Sequence, residues 1–161
     1  MLDLVPISKT GYNKLKEELE KLENVELPEV KKAVAEAREL GDLKENGAYI
    51  YGRQRQGFIV GRIGELKGMM NCSDIVDCTT VPRDQAEFGT VVSLLDLDTQ
   101  EKMTYQLLGP HDADIDTGSI SIHSPVGRAI LGHSVGDELS VTIPRGDRHF
   151  KVISIGRSEI E

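Results

Sequence analysis

Two acidic residues, Asp42 and Glu45, lie three positions apart in the segment ELGDLKENGAY, residues 39–49. A spacing of three places two side chains on nearly the same side of a helical turn, so both carboxylates can point the same way. Carboxylate oxygens are ligands for hard divalent cations such as Mg²⁺, although two of them alone would bind the ion weakly. The segment is therefore a candidate for delivering acids into a site on another molecule. The alternative is a polar turn, in which Asp and Asn are expected for turn chemistry alone.

Other patterns of metal-binding residue types are incomplete. The segment DADIDTG, residues 112–118, has aspartates at positions 1, 3 and 5 of a calcium loop, but Gly118 comes one residue too late and His123 stands where such a loop requires Glu. A solvated turn is the favoured interpretation. The four histidines lack ligand spacing, and Cys72 and Cys78 match no zinc spacing, which predicts reduced thiols.

The elements that hold the acidic segment are predicted to be two long helices. Apolar residues follow a spacing of three and four in two runs before the segment, one residue out of phase with each other, and in one run after it. Stripes of this kind on both sides of a short polar turn predict an antiparallel helical hairpin. The phase break beside Pro28 predicts a kink or short break near residues 25–28, because proline lacks a helix donor. The three runs are Tyr12, Leu15, Leu19 and Leu22; Leu27, Val30, Val34 and Ala37; and Ile59, Ile63, Leu66 and Met70.

The second half of the chain has the patterns of a β-rich domain. The segments EFGTVVSLLDL, KMTYQLLG, GSISIH, DELSVTI and HFKVISIG are short, rich in β-branched residues and separated by Gly, Asp or Pro. One short helix is predicted by Ser124 as N-cap, Pro125 at the first helical position and Gly132 as the stop. The predicted fold class is α+β, with a hairpin over residues 1–76 and a mostly antiparallel sheet domain over residues 77–161.

Composition and charge narrow the class of protein. The chain has 161 residues, 29% of them charged, and a net charge of -8, which predicts a soluble acidic protein of one or two small domains. Neither a signal peptide nor a run of about 18 apolar residues is apparent, so we expect a cytoplasmic protein without a membrane partner. Residues 31–67 carry eight basic and five acidic residues. This local excess of positive charge favours the binding of a polyanion near the turn. The alternative is a solvated helix face with charge pairs along the helix.

Beyond these patterns, the chain resembles the bacterial transcript cleavage factors of the Gre type, closest to GreA. The likeness covers nearly the whole chain and is most specific in EARELGDLKEN. It implies a coiled-coil hairpin that enters the secondary channel of RNA polymerase, followed by an FKBP-like domain that docks at the channel rim. The other segments that carry it are TGYNKLKEELEKL, LPEVKKAVAEAR, YGRQRQGFIVGRI, FGTVV, DADIDTGSISIHSPVGRAILGH and VGDELSVTIP.

The resemblance also implies a function. Such a protein is an accessory factor, not itself an enzyme, that stimulates the polymerase's own cleavage of backtracked nascent RNA near its 3′ end and rescues arrested complexes. Asp42 and Glu45 are then the catalytic acids, which hold a Mg²⁺ jointly with the polymerase, while the isolated protein binds no metal tightly. The residues implied in RNA or polymerase contacts on the hairpin are Arg38, Lys44, Asn46, Tyr49, Arg53 and Arg55; those implied in polymerase docking are His123, Ser124 and Pro125.

Near the tip, two positions depart from the pattern of the Gre-type factors. Gly47 and Ala48 stand where these factors usually have Ala and Glu, so one acid near the tip is missing. Glycine inside a helix also costs about 1 kcal/mol relative to alanine, which predicts a later start or fraying of the second helix. These departures motivate an alternative, a Gre-like secondary-channel regulator that binds polymerase without stimulating cleavage. A prolyl isomerase is a weaker alternative, because an aromatic-lined pocket is expected and the second domain has only Phe88, Tyr105 and Phe150.

Overall fold

The computed structural model describes residues 3–41 and 45–157. The chain forms two compact units: a hairpin unit, Asn13–Cys72, and a sheet unit, which combines Met1–Tyr12 with Ser73–Glu161. Within the described residues, no helix is both long and apolar enough to cross a membrane. The helices of the first 72 residues are α1 (Lys9–Lys21), α2 (Leu27–Arg38) and α3 (Gly47–Asn71), with a π-helical turn (Leu22–Glu26) between α1 and α2.

The first arm of the hairpin is a continuous helix with one irregular turn. The Leu27 N–H donates to the Leu22 carbonyl five residues earlier, and the backbone is α-helical at Lys21 and Leu27 on either side. A π turn contains one extra residue, which accounts for the phase shift between the two apolar runs. The π turn overlaps the kink or short break predicted near residues 25–28 only at residues 25 and 26, and no break separates α1 from α2. Thirty residues at 1.5 Å each make the arm about 45 Å long.

The apolar stripes form the seam of the hairpin, which confirms the predicted helical pair. Val34 on α2 lies so close to α3 that a Cβ atom added to Gly52 would be 2.8 Å from its Cγ2. Two ion pairs show the antiparallel order, Arg62 with Glu18 at 2.8 Å and Arg55 with Glu26 at 3.6 Å. The Arg62 guanidinium lowers the pKa of the Glu18 carboxyl by donating to it. The buried residues of the seam are Leu15, Leu22, Val30, Val34, Ala37, Ile59, Ile63 and Leu66.

Two short strands that the sequence analysis did not predict pair the beginning of the chain with a distant segment. Strand β1 (Val5–Ser8) lies parallel to β2 (Ser73–Val76), with Val5 opposite Ser73. This pairing places the first residues in the sheet unit, so the compact units differ from a simple division between residues 76 and 77. The functional division at that point stays a prediction.

The remaining strands form the mostly antiparallel sheet that the sequence predicts. Its order is β5-β4-β3-β7-β6, in which only β4 and β5 are parallel. Inward-facing residues alternate with outward-facing ones along β3, and they build the core together with Phe150 and Val152 of β7. The short helix α4 is present where the capping residues predict it. The elements are β3 (Thr90–Asp96), β4 (Lys102–Leu108), β5 (Ser119–Ser121), α4 (Pro125–Ile130), β6 (Glu138–Ile143) and β7 (Gly146–Arg157).

Candidate functional site

The tip of the hairpin lies between the end of α2 and the start of α3. After Arg38 the chain turns, and the Leu40 N–H donates to the Ala37 carbonyl at 3.1 Å. Gly41 follows with φ of +137°, a conformation that glycine adopts without the penalty of a side chain. Helix α3 then begins at Gly47. The expected later start of the second helix is therefore wrong, because Gly47 occupies the first helical position.

Of the two predicted acids, the structure describes one. Asp42 lies outside the described residues, as does Lys44. Glu45 is exposed, and with the described residues its carboxylate makes no hydrogen bond or ion pair. The described residues of the whole chain also contain no group of three or more His, Cys, Asp or Glu that could hold a metal ion. Of the two predicted acids, the described tip thus offers the Glu45 carboxylate, and the described residues form no complete metal site.

Asn46 joins the two arms through its side chain. Its Oδ1 accepts a hydrogen bond from the Tyr49 N–H at 3.1 Å, which caps the start of α3. Its Nδ2 donates to the Ala37 carbonyl near the end of α2. The Arg38 guanidinium lies over the Tyr49 ring, 5.6 Å from its centroid, within the range of a cation–π contact. Three residues predicted to contact RNA or polymerase are therefore brought together here and contact other parts of the tip.

The two arginines farther along α3 have looser partners. Arg53 Nη1 is 3.5 Å from Gln56 Oε1, and Arg55 Nη2 is 3.6 Å from Glu26 Oε1. Both arginines are exposed, and contacts of this length between exposed side chains contribute little stability. They can exchange these partners for another anion at small cost.

One face of the hairpin carries exposed aromatic residues that the sequence analysis did not single out. The side chains of Phe58 and Tyr51 are 82% and 65% exposed, and they line an open groove of about 470 Å³ with Leu22. Exposed apolar residues that line one groove together, unlike single exposed ones, are typical of surfaces that contact another molecule. The available signal was Phe58 itself, a large apolar residue that lies off the stripe of Ile59 and Ile63.

The predicted docking loop of the sheet unit is held in place by local hydrogen bonds. Ser124 Oγ accepts from the Gly127 N–H at 3.1 Å and donates to the Ser121 carbonyl at 2.6 Å. Ser124 is therefore the N-cap of α4, as predicted, with Pro125 at the first helical position. His123 and Pro125 are exposed on either side of it. The loop therefore exposes His123 and Pro125 beside a hydrogen-bonded Ser124.

The aspartates of residues 112–118 have structural partners. Asp112 accepts hydrogen bonds from the Ser8 N–H at 2.8 Å and the Gly109 N–H at 2.7 Å. Asp114 Oδ1 accepts from the Asp116 N–H at 3.0 Å and caps a short 3₁₀ turn. The favoured interpretation as a turn agrees with these contacts.

Family models and curated relatives agree on what the chain is similar to. A model described as the N-terminal domain of a transcription elongation factor matches residues 5–75, and one described as the C-terminal domain of GreA/GreB matches residues 81–157. GreA of Desulfotalea psychrophila is 48% identical over 155 residues, which cover 96% of each chain. GreA of Thermodesulfovibrio yellowstonii is 41% identical over 155 residues, 96% of this chain and 98% of the relative.

Solved structures of the same kind are also similar. GreA factor homolog 1 of Thermus thermophilus is 32% identical, with 94% of this chain and 98% of that chain covered and a TM-score of 0.44. A GreA/GreB elongation factor from Nitrosomonas europaea is 22% identical, with the same coverage and a TM-score of 0.42. Since both domain models match and relatives with more than 40% identity extend over nearly the full length, the chain belongs to the GreA/GreB family of transcription elongation factors.

Proposed function

We propose that this protein inserts its hairpin into the secondary channel of RNA polymerase and stimulates the polymerase's own cleavage of backtracked nascent RNA near the 3′ end. It is then an accessory factor, and the active site belongs to the polymerase. The observation that carries the proposal is the exposed Glu45 carboxylate at the closed end of a helical hairpin, in a chain of the GreA/GreB family. Removal of the backtracked RNA end would return arrested complexes to elongation.

Asp42 and Glu45 are the residues proposed to act in this site. The described donor set fits a Mg²⁺ shared with a partner, because the exposed Glu45 carboxylate offers a hard oxygen ligand that no described residue occupies. Mg²⁺ held there would neutralise developing charge and lower the pKa of a bound water. The two carboxylates would supply ligands to the ion and orient the attacking water by accepting its hydrogen bonds.

Two surfaces support binding to a large partner. On the hairpin, the exposed Phe58 and Tyr51 form an apolar face, and Arg53 and Arg55 are available for the phosphates of extruded RNA or for acidic residues of the polymerase. Lys44 is proposed for the same role. On the sheet unit, the loop of His123, Ser124 and Pro125, in which Ser124 caps α4, is proposed to dock at the channel rim.

The experiment that tests this function is a cleavage assay. Purified protein and Mg²⁺ are added to a backtracked polymerase complex carrying 3′-labelled RNA, at a pH where the polymerase alone cleaves slowly. We expect rapid release of labelled dinucleotides and trinucleotides. The double variant Asp42→Asn, Glu45→Gln should abolish the release but keep the affinity for polymerase within about 3-fold. Glu20→Gln is the matched control, because Glu20 is an exposed acid on α1, away from the tip.

The outcomes separate the alternatives. Binding without RNA release would favour the Gre-like regulator that does not stimulate cleavage, a possibility supported by the absence of acids in the first turn of α3. If the double variant loses binding and cleavage to the same degree, the acids are docking residues.

A further inference from the structure

We infer that Asn46 is a positioning residue of the tip: its carboxamide fixes the end of α2 relative to the start of α3 and so holds the backbone that carries Glu45. The inference rests on the proposed function, in which Glu45 acts on the RNA. It differs from the role that the family resemblance suggests for Asn46, a direct contact to RNA or polymerase.

Both polar groups of the Asn46 side chain are used within the protein. Oδ1 accepts from the Tyr49 N–H, and Nδ2 donates to the Ala37 carbonyl. The carboxamide is planar and rigid, so these two backbone groups cannot move apart without the loss of one hydrogen bond. A direct contact from either group to RNA would compete with the bond that holds the tip together.

Asparagine is the residue type that this arrangement requires. Aspartate could accept from the Tyr49 N–H, but it has no donor for the Ala37 carbonyl when it is ionised. Serine is also a good N-cap, but its single hydroxyl is too short to reach across to the other arm as well. The requirement for a donor and an acceptor on one planar group therefore distinguishes a bridge between the arms from an ordinary helix cap.

The position of Glu45 depends on that of Asn46. Glu45 directly precedes Asn46, and consecutive Cα atoms lie about 3.8 Å apart, so a fixed Asn46 restricts where the Glu45 backbone can lie. The Arg38–Tyr49 contact joins the same two stretches of chain, since Arg38 follows Ala37. A displacement of about 1 Å in a catalytic group can cost as much as 100-fold in rate. An exposed acid at the end of a long hairpin thus needs local contacts that fix its backbone, and the two hydrogen bonds of Asn46 provide them.

The test uses the full-length protein in the cleavage assay, with Asn46→Ala, Asn46→Ser and Asn46→Asp compared. We expect all three to lower the maximal cleavage rate by about 10-fold or more, in line with the cost of misplacement. The factor concentration that gives half-maximal cleavage should stay within about 2-fold of the unsubstituted value. Glu20→Gln again serves as the control, and circular dichroism verifies that the helices are retained.

Two results would overturn the inference. If Asn46→Ser and Asn46→Asp cleave at the unsubstituted rate, capping alone is sufficient and the bridge to Ala37 has no role. If the variants raise the half-maximal concentration and leave the maximal rate unchanged, Asn46 contacts the polymerase or the RNA.

Hydrogen exchange in the free protein tests the bridge without polymerase. We expect slow exchange of the Tyr49 amide in the unsubstituted protein and in Asn46→Ser, and exchange about 10-fold faster in Asn46→Ala. The Asn46 side-chain NH₂ should also exchange slowly, and fast exchange there would overturn the bridge. Absence of cleavage by the unsubstituted protein would overturn the proposed function and the role of Glu45 together. Normal cleavage by the Asn46 variants would overturn this inference alone.

Discussion

The two acidic segments of this protein, residues 39–49 and residues 112–118, have similar composition but opposite surroundings. In the second segment, Asp112 and Asp114 accept hydrogen bonds from backbone N–H groups. In the first, Glu45 is exposed and its carboxylate has no partner among the described residues. The density of acidic residues alone therefore does not single out the segment that is proposed to act on RNA. What distinguishes Glu45 from Asp112 and Asp114 is that backbone N–H groups already use the carboxylate oxygens of the two aspartates.

The position of Asp112 shows how closely the chain is built around that carboxylate. A Cβ atom added to Gly11 in the first turns of α1 would lie 2.4 Å from the Asp112 Cβ, and one added to Gly109 would lie 2.1 Å from the Pro6 carbonyl oxygen. Only glycine fits at either place. Asp112 thus ties the Ser8 N–H at the start of α1 to the loop that follows β4.

The largest expected effect separates the two segments by activity. Glu45→Gln should lower the cleavage rate by about 10- to 100-fold, because a neutral amide is a poorer ligand and a poorer acceptor for an attacking water. Asp116→Asn is the matched control, since Asp116 is an exposed acid in the other segment. Cleavage of labelled RNA at saturating factor measures both. Equal loss in the two variants would mean that net charge, and not the place of Glu45, determines activity.

The next effect separates the two acidic segments by how much each contributes to the stability of the fold. Asp112→Ala removes the acceptor of two backbone N–H groups, so we expect the free energy of unfolding to fall by about 2 to 3 kcal/mol. Glu45→Gln should change it by less than about 0.5 kcal/mol, because the side chain is exposed. Urea unfolding followed by circular dichroism measures both values. Asp112→Asn keeps one acceptor oxygen and should fall between them, whereas a stable Asp112→Ala would refute the structural role.

A smaller effect, confined to acid, concerns a third carboxylate in the sheet unit. Asp96 is fully buried, and the Arg148 guanidinium, which donates to it, lowers its pKa from 3.8 to about 2, helped by the N–H groups of Thr99 and Asp98. A lowered pKa contributes stability above pH 3.8 that is lost as the pH falls towards 2. In Asp96→Asn this contribution is absent. Above pH 4, Asp96→Asn should therefore unfold at a lower temperature than the unsubstituted protein, and the two unfolding temperatures should converge near pH 2. A constant difference between them over that range would contradict the role of the Asp96–Arg148 pair.

The sequence predicted those parts of the fold whose signals are local. Ser124, Pro125 and Gly132 bound the short helix α4, and Gly132 has the positive φ of +83° expected of a helix stop. These residues act on neighbours within a few positions, so their type and spacing are sufficient. The phase shift in the first arm was also visible, but a break and a π turn shift an apolar stripe in the same way, and the sequence could not choose between them.

Contacts between distant segments could not be predicted in the same way. Strands β1 and β2 are only four residues long, and they pair across the whole hairpin unit. At the site, the preference of Asn for N-cap positions could have indicated the bond from Asn46 to Tyr49. The bond to Ala37 depends on the spacing of the two arms, which no local pattern contains. The roles of Asp42 and Glu45 came from the family resemblance, and they stay predictions.

The smallest expected effect returns to the tip and compares it with the seam of the same hairpin. Gly47 occupies the first position of α3, and an added Cβ atom meets nothing within 4 Å, whereas a Cβ atom on Gly52 lies 2.8 Å from Val34 Cγ2. Gly47→Ala should therefore stabilise the protein by a few tenths of a kcal/mol, up to about 0.5, and leave cleavage unchanged. Gly52→Ala, the same chemical change in a tight contact, should destabilise it by about 1 kcal/mol or more. Thermal unfolding of both variants decides the matter. Loss of stability in Gly47→Ala would show that the tip needs the backbone freedom of glycine at this position. Open space around Gly47 would then not be sufficient for alanine to replace it.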